Sequence, residues 1–232
     1  MSATPLWVHL RAPFAAYRWL QAGAYRASSP TILPSAAWGL LLNCAAIETR
    51  GSVNETSTPI RQDSPALRIA VGLMRPVGVA KLLQQLHTYP VGKSGSDRRA
   101  SAHGRKYWIA PIKREVLVDL EAVIGADGPP EVLARVRAGL SGTSGALRYG
   151  LPFAGDNNFF FDRLEELSAP PPVHWYTRVD RGGAPREDST RVTVAIDRTD
   201  SSRTVTKLVA PTGAPTALPP DDAWFWVPRE AG

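Results

Sequence analysis

Large apolar side chains alternate along Leu6-Trp7-Val8-His9-Leu10, which predicts a short first strand. Arg11 to Thr31 breaks that alternation and reads as a long polar-aromatic loop. Pro34-Ser35 then opens a helix, with Ser35 as the expected N-cap and strong helix formers from Ala36 to Ile47. Gly51 to Ser64 is a polar loop, and Ala66 to Leu73 resumes the strand alternation. Arg75 to Arg114 is a basic insert whose polar middle, Gly92 to Gly104, separates Leu82–Tyr89 from Lys106–Ile112; this predicts a long hairpin with a mobile tip. Glu115 to Ile124 is a strand. Pro129-Pro130 heads a helix over Glu131 to Leu140, with Val132, Leu133, Val136 and Leu140 on one face. Gly155-Asp156-Asn157-Asn158 is a turn before the apolar run Phe159–Phe161. Arg191 to Ile196 is a further strand, and an Ala/Pro-rich tail closes on Trp224-Phe225-Trp226-Val227.

Through residue 167 the order is β-α-β-(hairpin)-β-α-β. That predicts an α+β fold of ferredoxin-like βαββαβ type, in which two helices cover one face of an antiparallel sheet. The expected boundaries are a domain over 1–168 that includes the basic insert 75–114, and a short C-terminal β extension over 169–232.

With 232 residues, 44% hydrophobic and 21% charged, the chain is globular. Its single cysteine, Cys44, excludes a disulfide framework and a cysteine-based zinc site. The longest apolar stretch, Ala36 to Ile47, is too short to cross a bilayer, and the first residues carry no signal-peptide pattern. A soluble cytoplasmic protein with no membrane partner is expected. Residues 1–114 hold 15 Lys/Arg against 4 Asp/Glu, a net of +11, whereas 115–232 carry −5. Arginine supplies 22 of the 27 basic residues, the side chain that binds phosphate bidentately and stacks on bases. One half of the protein is therefore expected to face a polyanion.

Several motifs fail. Gly92-Lys93-Ser94 lacks the first glycine of a P-loop, where His87 stands. His9, His87, His103 and His174 show no metal-ligand spacing, so no metal or cofactor is expected, and there is no serine-hydrolase elbow. The first loop is more informative. Phe14, Tyr17, Trp19 and Tyr25 interleave with Arg11, Arg18 and Arg26, the mixture by which single-stranded nucleic acid is held: aromatic faces stack on bases while arginines hold phosphates. The alternative is that the aromatics serve the core and the arginines are merely solvated. The helix start at Ser35 adds backbone N–H groups suited to a phosphate. In the insert, Lys93, Arg98, Arg99, Arg105, Lys106 and Lys113, with Tyr107 and Trp108 beside them, compose a hairpin suited to lie along a phosphate backbone; an ordinary solvated loop is the other reading.

The opening strand, the segment Ser-Ser-Pro-Thr-Ile-Leu-Pro-Ser and the helix Ala-Ala-Trp-Gly-Leu-Leu-Leu-Asn resemble the start of the Cas-five family of CRISPR-associated proteins, in the RAMP superfamily. Similar stretches continue at 115–119, 149–158 and 191–198. The resemblance implies an RRM-related ferredoxin-like domain with a protruding β-hairpin thumb. It also implies a subunit of a type I Cascade complex that caps crRNA by its 5′ handle. Such a subunit contacts the large subunit and the first backbone subunit, and meets target DNA only indirectly, through the complex. Carried onto this chain, the handle surface would comprise Phe14, Tyr17, Arg18 and Arg26, the helix start at Ser35 with Trp38, and the thumb. One branch of the family matures pre-crRNA without metal through a Tyr/Lys/His constellation. Tyr17, Lys106 and His103 are the nearest equivalents here, but no adjacent Lys-His pair exists. The expectation is a non-catalytic RNA-binding subunit, with a metal-independent endoribonuclease and a generic single-stranded RNA-binding module as alternatives.

Overall fold

The computed structural model describes residues 4–51, 59–90, 99–179, 186–197 and 200–228. Among them are eleven strands and two helices, a mixed α/β architecture dominated by one large sheet. The strand that organises it is β6 (Tyr107–Asp127), 21 residues long. Its C-terminal half pairs antiparallel with β1 (Leu6–Ala15) on one side and with β4 (Leu67–Leu73) on the other. Outside β1 lies β7 (Arg163–Leu167), so the middle of the sheet runs β7-β1-β6-β4, all antiparallel.

The N-terminal half of β6 leaves this body as one arm of a hairpin with β5 (Gly78–Pro90), in register from Gly78↔Val118 to Pro90↔Tyr107. The long hairpin predicted over 75–114 is thus present, with its second arm fused to the following strand. The change of partner from β4 to β5 takes place around Asp119, whose φ of 54° is left-handed. Met74 bridges the step, its N–H donating to the Glu121 carbonyl at 3.1 Å.

Helices α1 (Pro34–Cys44) and α2 (Pro130–Leu140) cover one face of the sheet. Strand alternation sends Leu6, Val8, Leu10 and Ala12 of β1 into that core, with Ile69, Val71, Leu120 and Ile124 from its neighbours. Trp7 faces the other way, against Trp175 and Trp224. The C-terminal strands are β8 (His174–Arg178), β9 (Thr190–Ala195), β10 (Val205–Pro211) and β11 (Phe225–Val227). Helix α1 is apolar nearly all round because it packs on β4, on α2 and on the C-terminal strands β9 and β11. Both β8 and β11 pair directly with β4, so the predicted C-terminal extension continues the main sheet. Phe225 and Val227 of the terminal apolar run are core residues.

Two local expectations are corrected. Arg11 to Thr31 is not a loop: β1 runs on to Ala15, and a tight hairpin follows, formed by β2 (Arg18–Ala22) and β3 (Tyr25–Ser28). Gly23, with φ +54°, supplies its turn. Nor is Ser35 an N-cap. The cap is Leu33, with Pro34 at the first helical position, where its missing N–H costs nothing. Ser35 lies inside the first turn, and its Oγ is buried without a hydrogen-bond partner.

The helices meet where Gly139 of α2 rests on the C-terminus of α1, so that a methyl group there would fall on the Cys44 carbonyl. Gly139→Ala is expected to lower stability by about 1–3 kcal/mol through overpacking, despite alanine's better helix propensity. Urea unfolding of the variant beside the wild type checks this; equal midpoints would show that the helices separate at no cost.

Candidate nucleic-acid interface

The β2–β3 hairpin packs beside the root of the long hairpin. Tyr25 and Arg26 of β3 pair in parallel with Lys113 and Arg114 of β6, and the Lys113 N–H donates to the Ala24 carbonyl at 2.8 Å. The third wall is the turn at Gly155-Asp156. It reaches in because Gly155 (φ +79°) has no Cβ to strike the Ala16 carbonyl and the Tyr17 ring. Together these segments enclose a cleft of about 360 Å³, lined among others by Tyr17, Arg18, Arg26, Ile112, Arg114 and Asp156.

Three guanidinium groups meet here in different states. Arg114 is tied to Asp156 at 2.5 Å, and its guanidinium also lies over the Phe159 ring at 5.5 Å. Burial works against the Asp156 carboxylate, but the hydrogen bonds from Arg114 and the Asn158 backbone outweigh it and hold its pKa below the ordinary carboxylate range. Arg26 donates only to the Gly23 and Tyr25 carbonyls, at 2.8 and 3.2 Å. Arg18 is exposed and reaches the Gln21 amide oxygen at 2.7 Å. Neither Arg18 nor Arg26 is neutralised by a described carboxylate. The Glu115 carboxylate is engaged by the Tyr25 hydroxyl and by the Ser28 N–H at 3.1 Å.

The same sorting holds across the basic half of the chain. Arg11, Arg50, Arg61, Arg68 and Arg75 all pair with carboxylates, at 2.5–3.7 Å. Arg18, Arg26, Lys81, Arg99, Arg105, Lys106 and Lys113 make no ion pair with a described residue. Uncompensated positive charge therefore gathers on the short hairpin and along the long one.

The expected site residues fare unequally. Phe14 is 50% exposed and stacks obliquely on Phe159 beside the cleft, with ring centroids 6.2 Å apart. Tyr17 lines the cleft but is only 3% exposed, and burial pushes its hydroxyl far above the ordinary tyrosine range. It is a wall, with no free face for stacking. Trp38 is likewise 3% exposed, with its indole N–H donated to the Pro65 carbonyl at 2.9 Å, so it is a core residue of α1. Arg99, Arg105, Lys106, Tyr107 and Lys113 are exposed on the long hairpin, the Lys106 ammonium lying 5.4 Å from the Tyr107 ring centre. Trp108 belongs to β6, and Arg98 lies outside the described residues. His103 sits in a turn at the far end of the hairpin, past the short 3-10 segment Ala100–Ala102. Lys106 stands just before Tyr107, seven residues or about 23 Å of extended chain from Lys113. The structure does not bring Tyr17, His103 and Lys106 together. Arg114, Asp156 and Gln21 join the cleft without a sequence signal strong enough to single them out, since the pairing of β3 with β6 and the close approach of the Gly155 turn make them neighbours.

No family model and no curated protein matches the sequence. Solved structures do match. A chain described as "CRISPR RNA-guided surveillance complex" superposes with a TM-score of 0.59 at 18% identity, over 91% of each chain. The fold is that of a CRISPR surveillance-complex chain. Further matches are to a "Cas protein" (TM-score 0.46, 15% identity, 91% of this chain and 95% of that one) and a "CRISPR-associated Protein" (0.41, 12%, 72% and 69%). No described helix is long and apolar enough to cross a membrane, and no described cluster of His, Cys, Asp and Glu has the arrangement of a metal site.

The Arg114–Asp156 pair has a definite pH signature. With its folded-state pKa depressed below the unfolded value of about 3.9, Asp156 contributes stability that is fully present above about pH 4. That contribution is lost as pH falls through the lowered folded-state value. Asp156→Asn is expected to cost about 1–2 kcal/mol at pH 7, with the gap to wild type closing below about pH 4. Urea unfolding at pH 7 and pH 3 measures both; a gap independent of pH would assign the loss to shape rather than charge.

Proposed function

We propose that this chain is the non-catalytic subunit of a type I CRISPR surveillance (Cascade) complex that binds and caps the 5′ handle of crRNA in antiviral defence. The observation that carries the reading is the pair of uncompensated guanidiniums, Arg18 and Arg26, on a cleft at the root of a basic hairpin. In this reading residues 1–168 form the RNA-binding domain, with the insert 75–114 as its thumb and 169–232 as its extension. The strand order β7-β1-β6-β4, with α1 following β1 and α2 joining β6 to β7, supports the RRM-related ferredoxin-like description of the RAMP superfamily. RNA would lie along the short hairpin and continue onto the exposed Arg99, Arg105, Lys106 and Lys113 side chains. The large and backbone subunits would then contact the remaining surface of this cytoplasmic protein, and target DNA would be met through the complex. The endoribonuclease alternative has less support: a general base or acid must reach the 2′-hydroxyl, whereas the Tyr17 hydroxyl is buried and His103 and Lys106 are at the far end of the hairpin.

The test is binding of a labelled CRISPR-repeat RNA in EDTA across a range of salt. Wild type is expected to bind without cleaving, with affinity falling steeply as salt rises. Replacing both Arg18 and Arg26 by alanine removes two phosphate contacts, and should reduce the slope of log K against log salt by about 1.4. An unchanged slope would remove the cleft from the RNA path. A specific cut in the repeat would instead make the chain a metal-independent nuclease.

A further inference from the structure

The β2–β3 hairpin has a second side, and a larger cleft of about 590 Å³ lies against it. Trp19 follows Arg18 in β2 and lines this other cleft, as strand alternation requires, while Arg18 lines the first. Trp19 is 48% exposed, although tryptophan on a strand is normally covered. Facing it are His174 and Tyr176 of β8 and Thr190 at the start of β9, all from the C-terminal strands.

The polar groups of this cleft differ in kind from those of the first. Its arginines are spoken for: Arg186 is held by Asp188 at 2.6 and 3.0 Å, and Arg75 by Glu121 at 3.7 Å. Glu187 also lines it, so nothing here offers net positive charge to a phosphate. What remains suits a neutral, flat, hydrogen-bonding ligand. His174 Nδ1 donates to the Thr212 carbonyl at 2.8 Å, since a carbonyl only accepts, which leaves Nε2 as the ring nitrogen free to meet a ligand. Burial first, and the Asp188 charge second, push the Tyr176 hydroxyl up to about 12, so it stays protonated. Thr190, 5% exposed, has a buried Oγ1 with no hydrogen-bond partner in the protein. The volume falls within the ~300–1,000 Å³ typical of small-molecule sites.

We infer that the Trp19 cleft is a nucleobase subsite for single-stranded RNA, taking one splayed base of a strand whose phosphates lie at Arg18 and Arg26. This rests on the RNA-binding reading above and adds to it the place where base identity is read. The Arg18 and Trp19 Cα atoms are about 3.8 Å apart, so a strand draped over the hairpin reaches both sides within one nucleotide. Trp19 supplies the stacking face, while His174 Nε2 and the hydroxyl groups address the base edge.

Fluorescein-labelled octamers of A, of C and of U, titrated by anisotropy against the full chain, test the inference. Wild type is expected to prefer one octamer by about tenfold. Gly213 borders the cleft, and its Cβ position is open, so Gly213→Trp introduces an indole at the cleft's edge with room for its Cβ. That variant, and Trp19→Ala, should bring the three affinities within about twofold of one another, with the salt slope unchanged and the thermal unfolding midpoint preserved. Trp19→Phe should restore the preference. If every octamer binds but Gly213→Trp and Trp19→Ala leave the ranking intact, the base-reading inference falls while the RNA-binding reading stands. Equal wild-type affinity for all three octamers overturns the inference as well. If no octamer and no repeat RNA binds, both readings fall together.

Discussion

The hydrogen-bonding continuity of β6 is the constraint on which the arrangement depends. A strand of 21 residues must satisfy its backbone N–H and C=O groups along its whole length, and here one strand does so for both the body of the protein and the projecting hairpin. Its C-terminal half is clamped between β1 and β4 inside the core. Because register is a property of the whole strand, that clamp also sets where Ile112, Arg114 and Glu115 emerge at the cleft. Asp119 absorbs the change of direction, and its left-handed backbone is the local cost of making one strand serve two partners on the same edge. The basic hairpin is thereby a rigid continuation of the sheet at its root.

Electrostatic sorting is the second organising principle. Seven arginines and lysines without a described carboxylate partner occupy two hairpins, whereas Arg11, Arg50, Arg61, Arg68 and Arg75 of the same basic half are paired. Surface pairs of this kind contribute little stability, at most about 1 kcal/mol each. Their effect is on the field, since neutralising charge elsewhere concentrates the positive potential on one flank. Arg114 and Asp156 are the instructive exception, a pair at the edge of that flank. There the carboxylate holds one guanidinium in place against Phe159 and leaves the other two, Arg18 and Arg26, uncompensated.

The short β2–β3 hairpin divides two environments of different polarity. One side carries guanidiniums; the other is aromatic and neutral, and is completed by strands more than 150 residues further along the chain. The C-terminal strands therefore do more than shield α1. By pairing with β4 and returning over the sheet, they build the wall opposite Trp19.

Much of this was legible in the residues alone. Alternation located β1, β4, β6 and β9, proline placed the start of α2, and the charge imbalance pointed to the half that carries the two basic hairpins. These signals are local, set by side-chain periodicity and by what proline and charge do wherever they stand. The failures share a cause as well. The aromatic stretch 11–31 forms strands because β6 offers it an edge, a partner about 90 residues away. Tyr17 and Trp38 are walls and core rather than free stacking faces, since burial is decided by what packs over a residue and not by its type. Ser35 has a capping side chain but lies inside the helix, one residue after the proline that opens it. Sequence by itself determined the strands β1, β4, β6 and β9, the two helices and which half is basic. Only the tertiary structure decided which cations remain unpaired and which aromatic remains exposed, because both depend on contacts between segments far apart in the chain.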